Sequence, residues 1–337
     1  MVTIKDIADM LGISTTTVSN VIHGKTGEVS QKTVERVQKL VQEYNYVPNI
    51  NARNLAQNKS KIIGVAIKAS HFKYENIISD PFFAELIGAI EAEVRSKGYF
   101  MMIYISATIE EIIQYVSTWN VDGLILVGMI HDDYIKMKWR YKKPTVLIDS
   151  YLPEGITKYV NIGLDDEVGS YNMTKYLLEN GHHKIGFVAD NMEGVDYYRY
   201  MGHKKALQDN KILVEEENLM IVPQGHQEEK AILKEFYEKI GSLTAFMFCS
   251  DYYATIVLNY LTDRGVKVPD DISITGYDNN HFSKVVRPAL TTVGQDVTKK
   301  GSQAVSYLIK MINGQPIKQL DIKLPTELVI RSTVRKI

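Results

Sequence analysis

The chain has 337 residues, a formal net charge of -1 and 45% hydrophobic residues, enough length and apolar content for two or three domains with proper cores. Its single cysteine, Cys249, excludes an internal disulfide and suits a reducing cytoplasm; the flanks AFMFCSD place it in a buried strand as a structural thiol. The start MVTIKDIADM lacks an apolar core of signal-peptide length, and no stretch approaches the ~20 apolar residues that span a bilayer, so a soluble cytoplasmic protein is expected. The near-zero total charge hides an asymmetry, since residues 1–61 hold eight Lys and Arg against five Asp and Glu. A basic end fits a polyanionic partner. So small an excess binds phosphate weakly, and two copies on a palindromic DNA site are expected.

Residues 3–22, TIKDIADMLGISTTTVSNVI, read as two short helices joined by a tight turn. Ile4, Ile7, Ala8 and Leu11 form one apolar stripe, with Lys5, Asp6 and Asp9 on the wet side. Gly12 ends that helix by taking the left-handed conformation, and Ser14 caps the next through its hydroxyl. The second helix packs Val18, Val21 and Ile22. Its other face carries Thr15, Thr16, Ser19 and Asn20, short polar side chains that reach base edges when a helix N-terminus lies in the major groove. A helical hairpin within an ordinary core shows the same periodicity. The continuation favours a helix-turn-helix: a two-glycine loop, GKTGEVS, precedes a third helix capped by Ser30, with Val34, Val37, Leu40 and Val41 on one face up to Tyr44.

In TIKDIADMLGISTTTVSNVI and in YNYVPNINARNLA the chain resembles the lac repressor family, and the resemblance covers nearly its whole length. It implies a DNA-binding headpiece over residues 1–46 and a hinge helix with linker over 47–60. It also implies a DNA-contacting set of Thr15, Thr16, Ser19 and Asn20 in the second helix with Asn49, Arg53 and Leu55 in the hinge. By family position Leu55 wedges into the minor groove of the operator. The local chemistry agrees: Pro48 breaks the preceding helix, Asn49 caps the next, and a helix over residues 49–56 is too short to be stable alone in water. Such a helix orders on DNA, where an apolar wedge unstacks base steps and kinks the duplex. The alternative for Leu55 is packing on its own domain.

From Lys61 onward short apolar runs alternate with amphipathic segments: IIGVAI, PFFAELIGAIEAEVRSKGY, FMMIYI, a helix near residues 110–119, GLILVG and TVLID, then a second set of KIGFVA, AFMFCSD and ISITGYD. Continuous apolar strands between helices indicate parallel sheets covered on both faces, and two sets indicate two lobes. The expected fold is therefore an all-α helix-turn-helix headpiece plus an α/β core of two doubly wound parallel-sheet lobes. SDPFFAELIGAIE, VDGLILVG, RYMGHKKAL, SDYYATIVLNYL, ISITGYDN, LTTVGQD and LPTELVIRST resemble the family core, which is similar to periplasmic sugar-binding proteins. That resemblance implies an effector-binding and dimerisation core over residues 61–337. Its N-terminal lobe is 61–161 with 293–322, its C-terminal lobe 162–292 with 323–337, and a ligand cleft lies between them.

Open α/β sheets bind ligands beyond the carboxyl ends of their strands, a rule that picks out Asp149, Asp251 and Asp278 directly after apolar runs. Carboxylates accept hydrogen bonds from sugar hydroxyls, and Phe82 or Phe83 offers an aromatic face to a sugar's C–H surface. By family position the cleft residues are Asp80, Phe82, Asp149, Arg199, Ser250, Asp278 and Gln295. Alternatives stay open at several of them. Asp251 either joins the cleft or caps the helix after it, and Arg199 either meets the ligand or forms a surface salt bridge. Lys68 faces cleft or solvent; Tyr197 and Tyr198 line the mouth or pack. Ser250 stands where many sugar-responsive members have Asn. The segment KASHFKYENIISD is longer than usual and reads as a lid or a dimer contact.

Enzyme signatures fail: there is no HExxH, CxxC, GxSxG or GxGxxG after a strand, and Ser19 occupies the place of the first glycine of a phosphate loop ending in GKT. His182 and His183, in the turn ENGHHKIG, are expected at the surface rather than on a metal, and no cofactor is expected. An exported solute-binding protein would share the core but carry a signal peptide in place of the headpiece. No leucine heptad follows Ile337, so a homodimer is the expected assembly. The expected function is transcriptional regulation, with operator affinity controlled by a small ligand, a carbohydrate before a corepressor or a protein partner.

Overall fold

A computed structural model describes residues 2–47, 59–68, 76–152, 159–222, 226–318 and 320–337. The expected hinge contacts Asn49, Arg53 and Leu55 lie outside the described residues. The chain divides into two compact units, Met1–Ser60 and Lys61–Ile337.

In the first unit, α1 (Ile4–Leu11) begins with a reciprocal cap: the Asp6 amide donates to the Thr3 hydroxyl at 3.2 Å and the Thr3 amide to the Asp6 carboxylate at 2.8 Å. Gly12, at φ +65°, closes the helix in the left-handed region, so the chain turns without a Cβ penalty. Ser14 caps α2 (Thr15–Ile22) by accepting from the Thr17 amide, and Ser30 caps α3 (Gln31–Glu43) in the same way. Ile7, Ala8, Val18, Val21, Val34 and Val37 are buried together as the unit's core. Arg36 donates to the Leu11 carbonyl at 3.2 Å, satisfying an orphan acceptor at the end of α1.

The second unit alternates strand and helix. In chain order come β1 (Ile62–Lys68), α4 (Pro81–Ser96), β2 (Phe100–Ser106), α5 (Ile109–Thr118), β3 (Gly123–Val127), α6 (His131–Arg140), β4 (Thr145–Ile148) and β5 (Val160–Leu164). Then follow α7 (Asp166–Glu179), β6 (Ile185–Ala189), α8 (Gly194–Asp209), β7 (Leu219–Ile221), α9 (His226–Glu238), β8 (Ala245–Phe248), α10 (Asp251–Thr262), β9 (Ser273–Asp278) and α11 (His281–Val285). The chain closes with β10 (Thr291–Gly294), α12 (Val297–Ile312), β11 (Asp321–Leu324) and β12 (Glu327–Val329). One sheet has the order β11-β5-β4-β3-β1-β2 and is parallel throughout; the other has the order β12-β10-β9-β8-β6-β7. In the second sheet only the edge strand β12 runs antiparallel, against β10. Strands such as GLILV, IGFVA and AFMF are buried at every position, as sheets covered on both faces require.

The chain crosses between lobes after Leu164, Gly294 and Leu324 rather than after residues 161, 292 and 322, because VNIGL, TTVG and DIKL stay paired in their sheets to their last residue. The sheets are parallel as expected, with β12 the added antiparallel strand at an edge, where no crossover helix is needed. His182 is buried rather than exposed: its Nε2 lies 2.9 Å from the Arg335 carbonyl and 3.1 Å from the Ser273 hydroxyl, and burial pushes its pKa down.

Helices α7 and α8 meet at Gly202, where a Cβ would come within 2.1 Å of the Glu167 carbonyl oxygen. The obstacle to that Cβ is backbone and has no flexible end to yield. Gly202→Ala is expected to lower stability by ~1–3 kcal/mol through forced separation of the two helices, read as a fall in the urea midpoint. An unchanged midpoint would show that the helices part freely.

Candidate functional site

Two surfaces stand out, one in each unit. On α2, Val18 and Val21 turn inward, while Thr15 and Thr16 are exposed and Ser19 and Asn20 partly so. The four polar side chains picked out in the sequence thus share the accessible side of the helix.

In the second unit a cavity of about 290 Å³ opens between the two sheets, and Asp80, Phe82, Asp149, Arg199, Ser250, Asp278 and Gln295 all line it. Each is set there by a local device. Asp80 precedes α4 and accepts from the Phe82 amide at 2.9 Å, which holds Phe82 and Phe83 edge to face at the rim. Asp149 directly follows β4 at φ +49°, Asp278 ends β9 at φ +116°, and Asn279 follows it at +57°. Asp and Asn tolerate such angles better than other side-chain-bearing residues, and strained backbone concentrates at binding sites.

Behind the lining runs a polar relay. Lys300, 1% exposed, places Nζ 2.8 Å from both Asp149 oxygens and 2.8 Å from Gln295 Oε1. Gln295 in turn donates from Nε2 to Asp278 Oδ1 at 2.7 Å. Arg199 lies 3.8 Å from that same oxygen, donates to Asp166 at 2.7 Å and to the Cys249 carbonyl at 2.5 Å, and stacks 3.7 Å over the Tyr277 ring. Tyr151 donates to Asp166 from the opposite side and stacks on Tyr198 at 4.3 Å. Burial pushes the Asp149 carboxyl above the usual carboxylate range against the pull of Lys300. Burial also opposes the charge on Arg199, but the neighbouring Asp166 overcomes it and keeps the guanidinium protonated.

Asp251 is corrected. It does not line the cavity but is fully buried beneath it, accepting from the Asn280 amide at 2.9 Å and from the Thr292 hydroxyl at 2.6 Å. Burial and the Asp278 carboxylate push its pKa well up. Nor does Lys68 face solvent: it pairs with the buried Asp133. Tyr197 is exposed while Tyr198 packs on Tyr151. Among the described residues no group of His, Cys, Asp and Glu could hold a metal ion, and no helix is long and apolar enough to cross a membrane.

Residues 3–49 match the family of bacterial regulatory proteins, lacI family, and residues 174–334 match a periplasmic binding protein-like domain. The HTH-type transcriptional repressor PurR of Mannheimia succiniciproducens is 32% identical over the full length of both chains, and that of Pasteurella multocida is 32% identical over 99% of each. The chain belongs to the lacI family of bacterial regulatory proteins. Among solved structures, the lac repressor dimer bound to operator and the anti-inducer ONPF aligns with a TM-score of 0.85 at 26% identity, over 99% of each chain. A complex of the regulator CelR with cellobiose shares the fold, at a TM-score of 0.72 and 22% identity, over 99% of this chain and 100% of that one. This lacI-family chain is thus a ligand-controlled, DNA-binding transcriptional repressor and not an enzyme.

Sequence reasoning missed Lys300, Asp166 and Tyr151. For Lys300 a signal existed: with Val297, Gly301, Ala304, Val305 and Leu308 it lies on the buried stripe of α12, a core position that an unpaired lysine cannot occupy. Asp166 opens α7 and Tyr151 follows β4; Arg199 reaches Asp166 from α8 and Tyr151 meets it across the lobes, so no local pattern marks either residue.

Removing the cation from this relay strands a buried carboxylate. Lys300→Met is expected to cost ~3–5 kcal/mol of folding stability, with partial recovery when Asp149→Asn is added, measured by urea denaturation of the single and double variants. Additive losses would show that the two side chains do not act as a pair.

Proposed function

We propose that the cleft takes a carbohydrate effector and that its occupancy sets the affinity of the headpiece for a palindromic operator. The observation that carries this reading is the lining itself: carboxylates from both lobes, the Phe82 ring, and a Ser250 hydroxyl that is buried with no hydrogen-bond partner among the described residues. A polyol supplies the donors that carboxylates need and an acceptor or donor for the serine, and its C–H face suits an aromatic ring. The lac repressor dimer bound to operator and the anti-inducer ONPF, at 26% identity, favours joint binding of DNA and a small ligand by this fold.

The DNA-contacting residues are Thr15, Thr16, Ser19 and Asn20, with Asn49, Arg53 and Leu55 in the hinge. Two headpieces from a homodimer in the cytoplasm engage the two half-sites, and Leu55 enters the minor groove. A ligand alters this binding only through unequal affinity for two lobe arrangements. Induction and corepression differ in which arrangement the ligand prefers.

Asn20→Ala is expected to relax preference at one position of each half-site at ~1–3 kcal/mol per lost contact, read by binding to a panel of half-site variants. Equal weakening on every sequence refutes base reading. For the cleft, a thermal-shift screen of pentoses, hexoses and disaccharides identifies the sugar, which at ~100 times its Kd adds about 2.7 kcal/mol. Asp278→Asn is then expected to weaken that sugar about tenfold while leaving operator affinity without sugar nearly unchanged, because it removes a charge-assisted acceptor but keeps the shape. A variant with wild-type response makes Asp278 structural.

A further inference from the structure

The N-terminal lobe gathers positive charge at the end where the chain enters it. Its strands begin in one row: the Phe100 amide meets the Lys61 carbonyl at 2.8 Å, the Asp122 amide the Ile62 carbonyl at 2.8 Å, and the Leu124 amide the Pro144 carbonyl at 3.0 Å. The Asn161 amide meets the Leu320 carbonyl at 2.8 Å, which adds the start of β11 to that row. Along it stand Lys59, Lys61, Arg140, Lys142, Lys143 and Lys318, against the carboxylates of Asp122 and Asp321. None of the six cations forms an ion pair among the described residues. Neutral groups hold three of them. Lys143 donates to Asn120 Oδ1 at 2.6 Å and to the Val121 carbonyl at 2.8 Å, Lys142 donates to the Lys138 carbonyl at 2.9 Å, and Lys61 lies 4.2 Å over the Tyr99 ring. Such partners fix a side chain without cancelling its charge. A basic residue in a helix's last turn complements the helix dipole, which accounts for Arg140 on α6. That field falls off within a turn, and the five lysines lie outside every helix.

We infer that this end of the core is a second DNA-facing surface, meeting backbone phosphates of the duplex while the headpieces read its bases. The inference rests on the DNA-binding function and is independent of the effector. The charge of the headpiece calls for it. Residues 1–46 hold five Lys and Arg against five Asp and Glu, and the excess within residues 1–61 sits in Arg53, Lys59 and Lys61, where the chain approaches the core. A duplex carries one negative charge per ~1.7 Å, and its affinity for a protein comes largely from the cations that replace its counterions. A headpiece without net charge leaves much of that attraction to be supplied elsewhere. Residues 47–60 join it to this row and reach at most ~50 Å even when extended, so headpiece binding makes the second encounter intramolecular. The opposite end of the same sheet has the reverse sign, with Glu110 and Glu111 opening α5 and Asp132 and Asp133 opening α6. Only the amino-terminal end of the lobe attracts a polyanion.

The test uses the full chain with Lys59→Gln, Arg140→Gln, Lys142→Gln and Lys318→Gln combined. Lys61 and Lys143 are kept because they hold Tyr99 and Asn120. A control with the same change in charge carries Lys184→Gln, Lys211→Gln, Lys267→Gln and Lys284→Gln, all exposed on the C-terminal lobe. The probe is a fluorescent duplex of mixed sequence, ~40 base pairs long, titrated between ~50 and ~200 mM KCl without effector, since phosphate contacts carry no sequence information. The first variant is expected to bind at least ~10-fold more weakly at the lowest salt, with a plot of log K against log salt shallower by ~2 or more; the control should match the parent. The order of preference within the half-site panel should stay the same. Parental affinity and slope in the first variant overturn the inference, and so does an equal loss in the control, which would reduce the effect to net charge. A changed order of preference overturns it as well, because the surface would then read bases. If the combined variant has a lower urea midpoint, the pairs Lys59 with Lys318 and Arg140 with Lys142 are measured separately. Each pair is expected to carry part of the loss, and parental binding by both overturns the inference.

Discussion

A lysine ammonium buried within the apolar stripe of a helix is the constraint on which the cleft depends. Taking such a group out of water costs several kcal/mol unless every donor is met by good partners. Lys300 meets them with the two oxygens of Asp149 and with Gln295 Oε1, so all three of its N–H bonds are committed. That commitment orients the next link. Because an ammonium can only donate, the Gln295 carbonyl oxygen must face Lys300, and its NH₂ is left to face Asp278. The end of β4, the start of α12, a crossing segment and the end of β9 are thereby tied in sequence by one buried charge.

The same tie gives a ligand something to compete for. Asp149 and Asp278 are acceptors shared between the relay and the cavity, so a molecule that draws on them alters the contacts of Gln295, in a segment that crosses between the lobes. Reversing a two-state balance from 1:99 to 99:1 requires about 5.5 kcal/mol of differential binding, the scale of a few charge-assisted hydrogen bonds made in one arrangement and not the other. Three crossings, after Leu164, Gly294 and Leu324, keep the lobes from separating while leaving their relative angle as the soft coordinate.

What could be read in the sequence divides along physical lines. Helix stripes, caps and fully apolar strands are local patterns, and the headpiece, the two sheets and the carboxylates at strand ends followed from them. Ser14, Ser30 and Gly12 act as caps where their positions suggest, while the Thr3–Asp6 cap at the start of α1 went unread. Long-range pairings were not legible. His182 reads as a turn residue until Arg335 and Ser273 come from far along the chain to cover it. Lys300 was legible in principle, as a charge out of phase on α12, but its meaning needed Asp149 across the fold. Asp251 obeys the strand-end rule in sequence and fails it in space.

That failure explains how Asp278 is presented. Asp251 takes the Asn280 amide and the Thr292 hydroxyl, pinning the backbone just after Asp278 to the neighbouring strand β10. The turn from Asp278 through Asn279 runs at positive φ, a conformation that side-chain-bearing residues hold only where surrounding contacts over-determine it. Gly276 makes room for the clamp, since a Cβ there would lie 2.2 Å from Asp251 Oδ1. A carboxyl placed this deep, with a like charge at Asp278, is pushed towards its neutral form, which adds a donor without giving up the acceptor lone pairs that the amide and hydroxyl need. The residue excluded from the cleft is thus the one that aims its central carboxylate. The glycine two positions before that carboxylate is fixed by the atom it must not touch.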